Sequence, residues 1–263
     1  MLIQFLTLFP GMFDGPFAHS IIKRAQDRGL VKLELINFRQ YAVDRHLTVD
    51  DTPYGGGPGM ILKPEPIFKA VEEVTVAAGA KPYTILTTPQ GETFCQEIAE
   101  ELSTLPHLLF ICGHYEGFDE RIRTLADREL SIGDYVLTGG ELPAMVMAEA
   151  IIRLLPGVLG DPEAAKHDSF SGEEGLLDYP QYTKPAEFRG MKVPAILLSG
   201  DHGKIAAWRR QQALLRTARR RPEILARLNL SKEDRVFLEE NRFALEDVQT
   251  DLFVKGGKTD EPD

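Results

Sequence analysis

The sequence predicts an α/β fold, with a mainly parallel sheet in the first 160 residues and a smaller, mainly helical domain after a linker. Three observations lead to this prediction. Short apolar runs alternate with helical stretches as far as Gly160, the composition then shifts to Gly, Pro, Asp, Glu and Ser, and cationic helical sequence follows. With 263 residues, 43% of them hydrophobic and 27% charged, the chain can bury a large core.

The predicted strands are apolar runs that end at Gly, Pro or polar turn residues. They cover residues 2–8, 31–36, 83–87, 108–112 and 131–137. Between them, apolar residues at helical spacing predict helices at 17–28, 64–78, 93–102 and 143–155. Pro64 and Pro143 stand near helix starts, where the missing N–H of proline costs little.

The sequence after Gly160 divides into three parts. Residues 160–179 show no apolar periodicity, which is typical of a linker, and helical sequence runs from His202 to about Asn241 after a short apolar run at 193–199. We therefore expect a sheet domain at 1–160, a flexible linker at 161–176, a C-terminal domain at 177–246 and a disordered tail at 247–263.

The charge is unevenly distributed. The net charge of −10 argues at first against a nucleic-acid partner, but the stretch 200–228 carries eight cations and only two acidic residues. In this stretch Arg209, Arg216 and Arg220 are spaced by seven and four residues and share one helix face. A polyanion can dock on such a face, and a merely solvated helix surface is the alternative.

Several functional classes are disfavoured. No apolar run is long enough to span a bilayer and the N-terminus lacks a basic leader, so we expect a cytoplasmic protein with no membrane partner. Cys95 and Cys112 form no CxxC pair, and the six histidines show no metal-ligand spacing, so no metal site is predicted. The P-loop, GxSxG, HExxH and GxGxxG motifs are absent from the sequence.

Glycine-rich loops follow three predicted strands, at 87–91, 113–117 and 132–140. Ligands bind at the carboxyl ends of strands in open α/β sheets, so these loops are expected to form one crevice. Glycines let the backbone approach a ligand, and Pro89 and Tyr135 offer flat apolar surface that suits a planar base such as adenine. Three unrelated tight turns are the alternative. A fourth segment, 53–59, is either a mobile flap or an inert surface loop.

In this order, the segments resemble the bacterial tRNA (guanine-N1)-methyltransferases, which belong to the SPOUT class of knotted methyltransferases and modify guanine 37 beside the anticodon. The resemblance covers nearly the whole chain, and its most specific parts are Gly113-His114-Tyr115-Glu116-Gly117 and residues 132–142. It implies a deep trefoil knot in the sheet domain, where the pattern alone predicts an unknotted Rossmann-like sheet.

The resemblance also implies the reactants and the assembly. The methyl donor is expected to be S-adenosyl-L-methionine, and the C-terminal domain is expected to bind the anticodon stem-loop of tRNA. A homodimer is expected, with each active site shared between subunits. The family has been associated with magnesium, which this sequence neither supports nor excludes.

Individual residues acquire expected roles from the same resemblance. Asp168 matches the base that removes the N1 proton of guanine, and Arg153 matches the group that stabilises charge on O6. Contacts with tRNA are expected from His46, Asp50 and Gly59, in addition to the three helix arginines. Donor binding is expected from Thr87, Thr88, Pro89, Gln90, Gly91, Gly113, Tyr115, Glu116, Gly117, Ile132, Gly133, Asp134, Tyr135, Val136, Leu137, Gly139, Gly140 and Pro143.

Alternatives stay open at this point. Asp168 is followed by Ser and is also typical of a helix N-cap, and Arg153 could serve only to complement a helix dipole. A related enzyme could methylate a ribose hydroxyl or another base, and the chain could be a non-catalytic RNA-binding module. The chain also departs from the commoner family pattern at Gly172-Glu173-Glu174, which enlarges the acidic linker and leaves its resting conformation undetermined.

Overall fold

The computed structural model describes residues 1–161 and 164–241, so the predicted tail at 247–263 lies outside the described residues. Two compact units divide the chain, Met1–Ala165 and Lys166–Asp263. Each unit is described by itself. Within the described ranges, no helix is both long enough and apolar enough to cross a membrane.

The first unit is built on a five-stranded sheet whose paired strands all run parallel, in the order β2-β1-β6-β5-β7. The predicted mainly parallel sheet is therefore confirmed. Two short strands, β3 and β4, pair antiparallel beside it. The strands are β1 (Leu2–Thr7), β2 (Lys32–Asn37), β3 (Asp50–Asp51), β4 (Ile61–Leu62), β5 (Tyr83–Thr93), β6 (His107–Cys112) and β7 (Arg128–Ser131).

Helices cover both faces of this sheet, and alternate side chains of each central strand enter different cores. In β6, Leu108 and Phe110 join the core cluster that includes helix residues of α2, α4 and α5. Leu109 and Ile111 point to the opposite cluster, which contains residues of α3. The helices are α1 (Asp14–Phe17), α2 (Ser20–Asp27), α3 (Pro64–Ala78), α4 (Gln96–Ser103) and α5 (Glu141–Ile152).

The strand predicted at 131–137 is wrong. The strand is β7, and residues 132–137 form a loop in which Gly133 has a φ of +145°. The sequence pattern did not predict β7, because the polar residues Arg128 and Glu129 are not typical of a buried strand. Arg128 nevertheless bonds Glu92 and Glu101, both at 2.8 Å, and these ion pairs make its place in the edge strand favourable.

Strand β5 is longer than predicted, because a register shift after Thr87 lets Glu92 and Thr93 pair with β7. This extension also moves the start of the helix predicted at 93–102 to Gln96. The helix predicted at 143–155 begins earlier, at Glu141, and ends at Ile152. The helix predicted at 17–28 is confined to Ser20–Asp27, whereas the helix predicted at 64–78 has the observed bounds.

The second unit begins with turns and contains a small ribbon followed by helices. The apolar run at 193–199 forms a 3-10 turn, Ala195–Leu198. The helical stretch predicted from His202 to about Asn241 is interrupted, because Pro222 cannot continue the hydrogen-bonding of the preceding helix. The elements of the second unit are β8 (Glu187–Phe188), β9 (Met191–Lys192), α6 (His202–Arg220), α7 (Pro222–Leu225) and α8 (Lys232–Glu240).

Substitution of Gly91 tests the close contact between β5 and β7. A Cβ at this position would lie 2.5 Å from the backbone nitrogen of Leu130. We expect Gly91→Ala to lower the free energy of unfolding by about 1–3 kcal/mol through overpacking, measured by urea denaturation. Gly160→Ala is the matched control because nothing lies within 4 Å of its added Cβ. Equal stability of the two variants would contradict the observed strand contact.

Candidate active site

The three predicted glycine-rich segments meet in one cavity of about 310 Å³. Two of them follow β6 and β7, whereas the segment at 87–91, predicted as a loop after a strand, lies within β5 at its register shift. Each of the three segments contributes residues to the cavity lining. Of the residues expected to bind the donor, the structure places these around the cavity: Thr87, Thr88, Pro89, Gln90, Gly113, Tyr115, Glu116, Gly117, Ile132, Gly133, Tyr135, Val136, Leu137, Gly139, Gly140 and Pro143.

Gly91 and Asp134 do not line this cavity. Gly91 lies against the backbone of Glu129 and Leu130, where its missing side chain permits the β5–β7 contact. Asp134 is exposed. Five lining residues lie outside the predicted loops: Phe118, Glu120, Arg123, Leu130 and Ser131. His114 and Thr138 also line the cavity and lie within the predicted loops, although they were not among the residues expected to bind the donor.

Two loops are joined directly by their backbones. The N–H of Gly140 donates to the carbonyl of Gly113 at 2.8 Å, and His114 forms an antiparallel bridge with Gly139. A Cβ on Gly140 would overlap the Thr87 hydroxyl and lie 2.7 Å from the nitrogen of Gly113. The glycine is therefore needed for three chain segments to converge at the cavity floor.

A buried carboxylate supports this floor. Glu141, the first residue of α5, is only 1% exposed, and it accepts a hydrogen bond from the Thr7 hydroxyl at 2.8 Å. The Thr7 hydroxyl in turn accepts from the N–H of Phe9 at 2.9 Å. Burial, with a smaller contribution from the Glu141 charge, raises the pKa of the Cys112 thiol well above its ordinary value. Sequence reasoning assigned no role to Glu141, although an acidic residue at a helix N-terminus is a recognisable signal.

His114 and Tyr115 form part of the cavity wall. The His114 ring lies 4.8 Å from the Phe9 ring and 4.8 Å from the Tyr115 ring. Its Nδ1 atom is buried and has no hydrogen-bond partner among the described residues. Tyr115 has a φ of +59°, a conformation that is uncommon for a residue with a side chain and is concentrated at functional sites. Both features fit a wall shaped for a ligand.

The glycine segment at 53–59 is followed directly by residues that form hydrogen bonds with the cavity lining. The N–H of Glu116 donates to the carbonyl of Met60 at 3.0 Å, and the N–H of Leu62 donates to the carbonyl of Gly117 at 2.9 Å. Gly59 lies so close to Glu116 that an added Cβ would overlap its side chain. Asp50 pairs with Leu62 in the β3–β4 ribbon.

The remaining expected residues lie elsewhere. His46 is exposed in a turn, where its N–H bonds Asp44 at 2.8 Å. Arg153 follows α5 in the first unit and is half-buried, whereas Asp168 belongs to the second unit.

No group of three His, Cys, Asp or Glu side chains that could hold a metal occurs in the part of the chain that the structure describes.

Two of the three expected RNA-binding arginines contact their own chain. The Arg209 guanidinium lies 4.9 Å from the centre of the Tyr179 ring. Arg216 donates to the carbonyl of Asp178 at 3.0 Å, and Arg220 is exposed near the end of α6. Arg209 and Arg216 thus help to hold the residues that precede the β8–β9 ribbon.

A family model described as tRNA (Guanine-1)-methyltransferase TrmD matches residues 1–227. The chain belongs to this methyltransferase family. The family predicted from the sequence motifs is therefore confirmed. The matched region contains all three segments that line the cavity.

Relatives within the family are similar over most of their length. A tRNA (guanine-N(1)-)-methyltransferase of Moorella thermoacetica is 60% identical over 242 residues, covering 91% of this chain and 96% of the relative. The corresponding protein of Staphylococcus carnosus is 56% identical over 240 residues, with coverage of 91% and 96%. The crystal structure of tRNA (m1G37) methyltransferase from Aquifex aeolicus has a TM-score of 0.69 at 40% identity, covering 84% of this chain and 93% of that chain.

The Thr7–Glu141 hydrogen bond gives a second test of the cavity floor. Thr7→Val removes the hydroxyl that donates to a buried carboxylate, so we expect a loss of about 1–3 kcal/mol in the free energy of unfolding. Thr52→Val, at an exposed position, is expected to change stability by less than about 0.5 kcal/mol. Thermal and urea unfolding measure both effects. A Thr7→Val protein as stable as the control would remove Glu141 from the support of the cavity.

Proposed function

We propose that this protein transfers a methyl group from S-adenosyl-L-methionine to N1 of guanine at position 37 of tRNA. The observation that carries the proposal is the single cavity formed by loops 87–91, 113–117 and 132–140, in a chain that the methyltransferase family model matches over residues 1–227. Because these loops resemble the donor-binding segments of the family, the cavity is proposed as the donor site.

The residues around the cavity fit this donor. A volume of about 310 Å³ lies at the lower end of the range for small-molecule sites, about 300–1,000 Å³. Pro89 and Tyr135 provide apolar surface for a purine, and Glu116 provides a carboxylate for an ammonium group. The unpartnered Nδ1 of His114 is a further polar group in this wall. When bound, the donor supplies a methyl group already activated by its sulfonium, so methyl activation itself requires no metal.

The chemistry assigns different tasks to two side chains. Guanine N1 carries a proton and is a poor nucleophile, so a base must remove that proton as the methyl group arrives. We propose Asp168 as this base. Negative charge then grows on O6, and we propose that Arg153 stabilises it, because a guanidinium stays charged and donates in a plane.

We propose a homodimer in which the linker of one subunit completes the active site of the other. The exposed face of α5 supports this assembly. Leu142 and Val146 lie one helical turn apart on this face and are 50% and 52% exposed. A second subunit would cover these apolar side chains, and isologous pairing is the commonest arrangement in soluble homodimers.

We also propose the deep trefoil knot that the resemblance implies. The loop at 132–140 is held against the loop at 113–117 by the Gly140–Gly113 hydrogen bond and the His114–Gly139 bridge. After these contacts the chain enters α5, which packs against β1 and β6. This path between two neighbouring loops is consistent with threading.

The domain division remains part of the proposal. We propose that residues 161–176 act as an interdomain linker, whose part from Asp168 onward is closed by internal hydrogen bonds. We also propose that residues 177–246 bind the anticodon stem-loop, with the exposed Arg220 contributing to phosphate binding. His46, Asp50 and Gly59 are proposed to contact the target guanine or its neighbours. We propose a cytoplasmic location because the enzyme acts on tRNA.

Methylation of defined transcripts tests the reaction. We expect labelled methyl transfer to an unmodified tRNA with guanine at position 37, recovery of N1-methylguanine by nucleoside mass spectrometry, and no transfer when position 37 is adenine. Asp168→Asn is expected to lower the rate by about 10²–10⁴-fold, the contribution typical of a general base. Methylation of the adenine form, a ribose-methylated product or full activity of the variant would contradict the mechanism.

Arg153 is expected to act on turnover and not on donor binding, because its interaction with O6 strengthens as charge develops. Arg153→Ala should reduce the single-turnover rate by about 10²-fold or more, the loss typical of removing one charge-stabilising donor. Equilibrium dialysis with labelled S-adenosyl-L-methionine should show unchanged affinity. Arg24→Ala, at an exposed position on α2, is the matched control. A variant that fails to retain the donor would reassign Arg153 to donor binding.

A further inference from the structure

The segment that carries Asp168 is a loop closed on itself, at residues 168–178. The N–H of Phe170 donates to the carbonyl of Leu176 at 3.1 Å, and the N–H of Asp178 donates to the Ser169 hydroxyl at 2.9 Å. These two bonds join the beginning of the loop to its end. Asp168 therefore stands at the base of a compact loop, immediately before the two residues that close it.

One face of α6 holds this loop. Arg210 and Thr217 are seven residues apart on α6, so their side chains project in a similar direction, and Arg221 directly follows the last residue of this helix. The Thr217 hydroxyl accepts from the N–H of Leu177 at 2.9 Å, and the Arg221 guanidinium lies 5.3 Å from the centre of the Phe170 ring. Both contacts are close to the base of the loop.

Arg210 binds the far end of the loop and a second helix at the same time. It donates to both carboxylate oxygens of Glu174, at 2.7 and 2.8 Å. It also donates to Asp234 on α8, with an Nη2–Oδ2 distance of 2.7 Å. A planar guanidinium with five donors can bridge two carboxylates in this way, whereas a lysine ammonium cannot reproduce the fork.

The two carboxylates are arranged to stay charged. Asp234 is only 8% exposed, and the Ser231 hydroxyl caps its backbone N–H at 3.1 Å. Hydrogen bonding to Arg210 is the largest cause that lowers the pKa of both Glu174 and Asp234. Their lowered pKa values extend the charged range of the three-residue cluster, which we name the Arg210 clamp, to more acidic pH.

We propose that Arg210 is a positioning residue for methyl transfer: the clamp of Glu174, Arg210 and Asp234 fixes the Asp168 loop to helices α6 and α8. The proposal rests on the proposed function, in which Asp168 is the base. In this proposal Arg210 positions the Asp168 loop, whereas other cations of the same charged stretch bind RNA. Loss of the clamp should therefore slow proton removal without weakening tRNA binding.

Neighbouring glutamates provide the decisive comparison. Glu174 is the clamp residue, whereas Glu173 is exposed in the same turn, so Glu174→Ala and Glu173→Ala remove equal charge from adjacent positions. In the full-length enzyme, we expect Glu174→Ala to lower the single-turnover rate at saturating tRNA about 10-fold or more, within the roughly 10²-fold loss that a 1 Å misplacement can cause. The dissociation constants for tRNA and S-adenosyl-L-methionine should match those of Glu173→Ala.

Arg210 itself supplies a second pair of variants. Arg210→Lys keeps the positive charge but loses the planar guanidinium that bridges the two carboxylates. We therefore expect it to restore little of the rate lost in Arg210→Met. Hydrogen exchange of the Phe170, Leu177 and Asp178 amides gives a readout that needs no catalysis, and exchange should accelerate in Glu174→Ala but not in Glu173→Ala. Arg220→Gln should instead weaken tRNA binding.

The outcomes separate the two proposals. A wild-type enzyme that does not methylate guanine 37, or a fully active Asp168→Asn, would overturn the proposed function. A wild-type enzyme with an essential Asp168, combined with normal rate and normal amide protection in Glu174→Ala, would overturn the clamp alone. Loss of tRNA affinity in Glu174→Ala with an unchanged saturating rate would also overturn it, since Glu174 would then act in binding.

Discussion

The close approach of backbone segments is the constraint on which the cavity depends. Gly140 packs against Gly113 and Thr87 with no space for a side chain, and Gly91 packs in the same way against the backbone of β7. Only glycine permits contacts of this kind, because every other residue carries a Cβ. The contacts bring three separate chain segments to one cavity, whose backbone groups are held by a parallel sheet.

Several arginines in the second unit bind residues of their own chain. Arg209 and Arg216 hold Tyr179 and Asp178, and Arg210 joins Glu174 to Asp234. A guanidinium that is already satisfied by carboxylates contributes less to phosphate binding than an exposed one. The number of cations in a helix therefore overstates how many are available to RNA.

Sequence patterns predicted most of the first unit, because buried parallel strands read as continuous apolar runs. They misplaced the fifth strand, where Arg128 forms ion pairs with Glu92 and Glu101, distant residues that no local pattern contains. They also grouped Gly91 with the donor loop, since a glycine beside a turn looks the same whether it faces a ligand or a neighbouring strand. The roles of Asp168 and Arg153 came from resemblance and remain proposals.

The sequence alone determined the α/β class with its mainly parallel sheet, the bounds of α3, the loops after β6 and β7 and membership of the methyltransferase family, because each of these depends on local periodicity or on contiguous motifs. Only the tertiary structure revealed the buried Thr7–Glu141 bond and the joining of Glu174 to Asp234 through Arg210. The physical reason is that these interactions pair residues distant along the chain, and their energy depends on burial and bond geometry that exist only after folding.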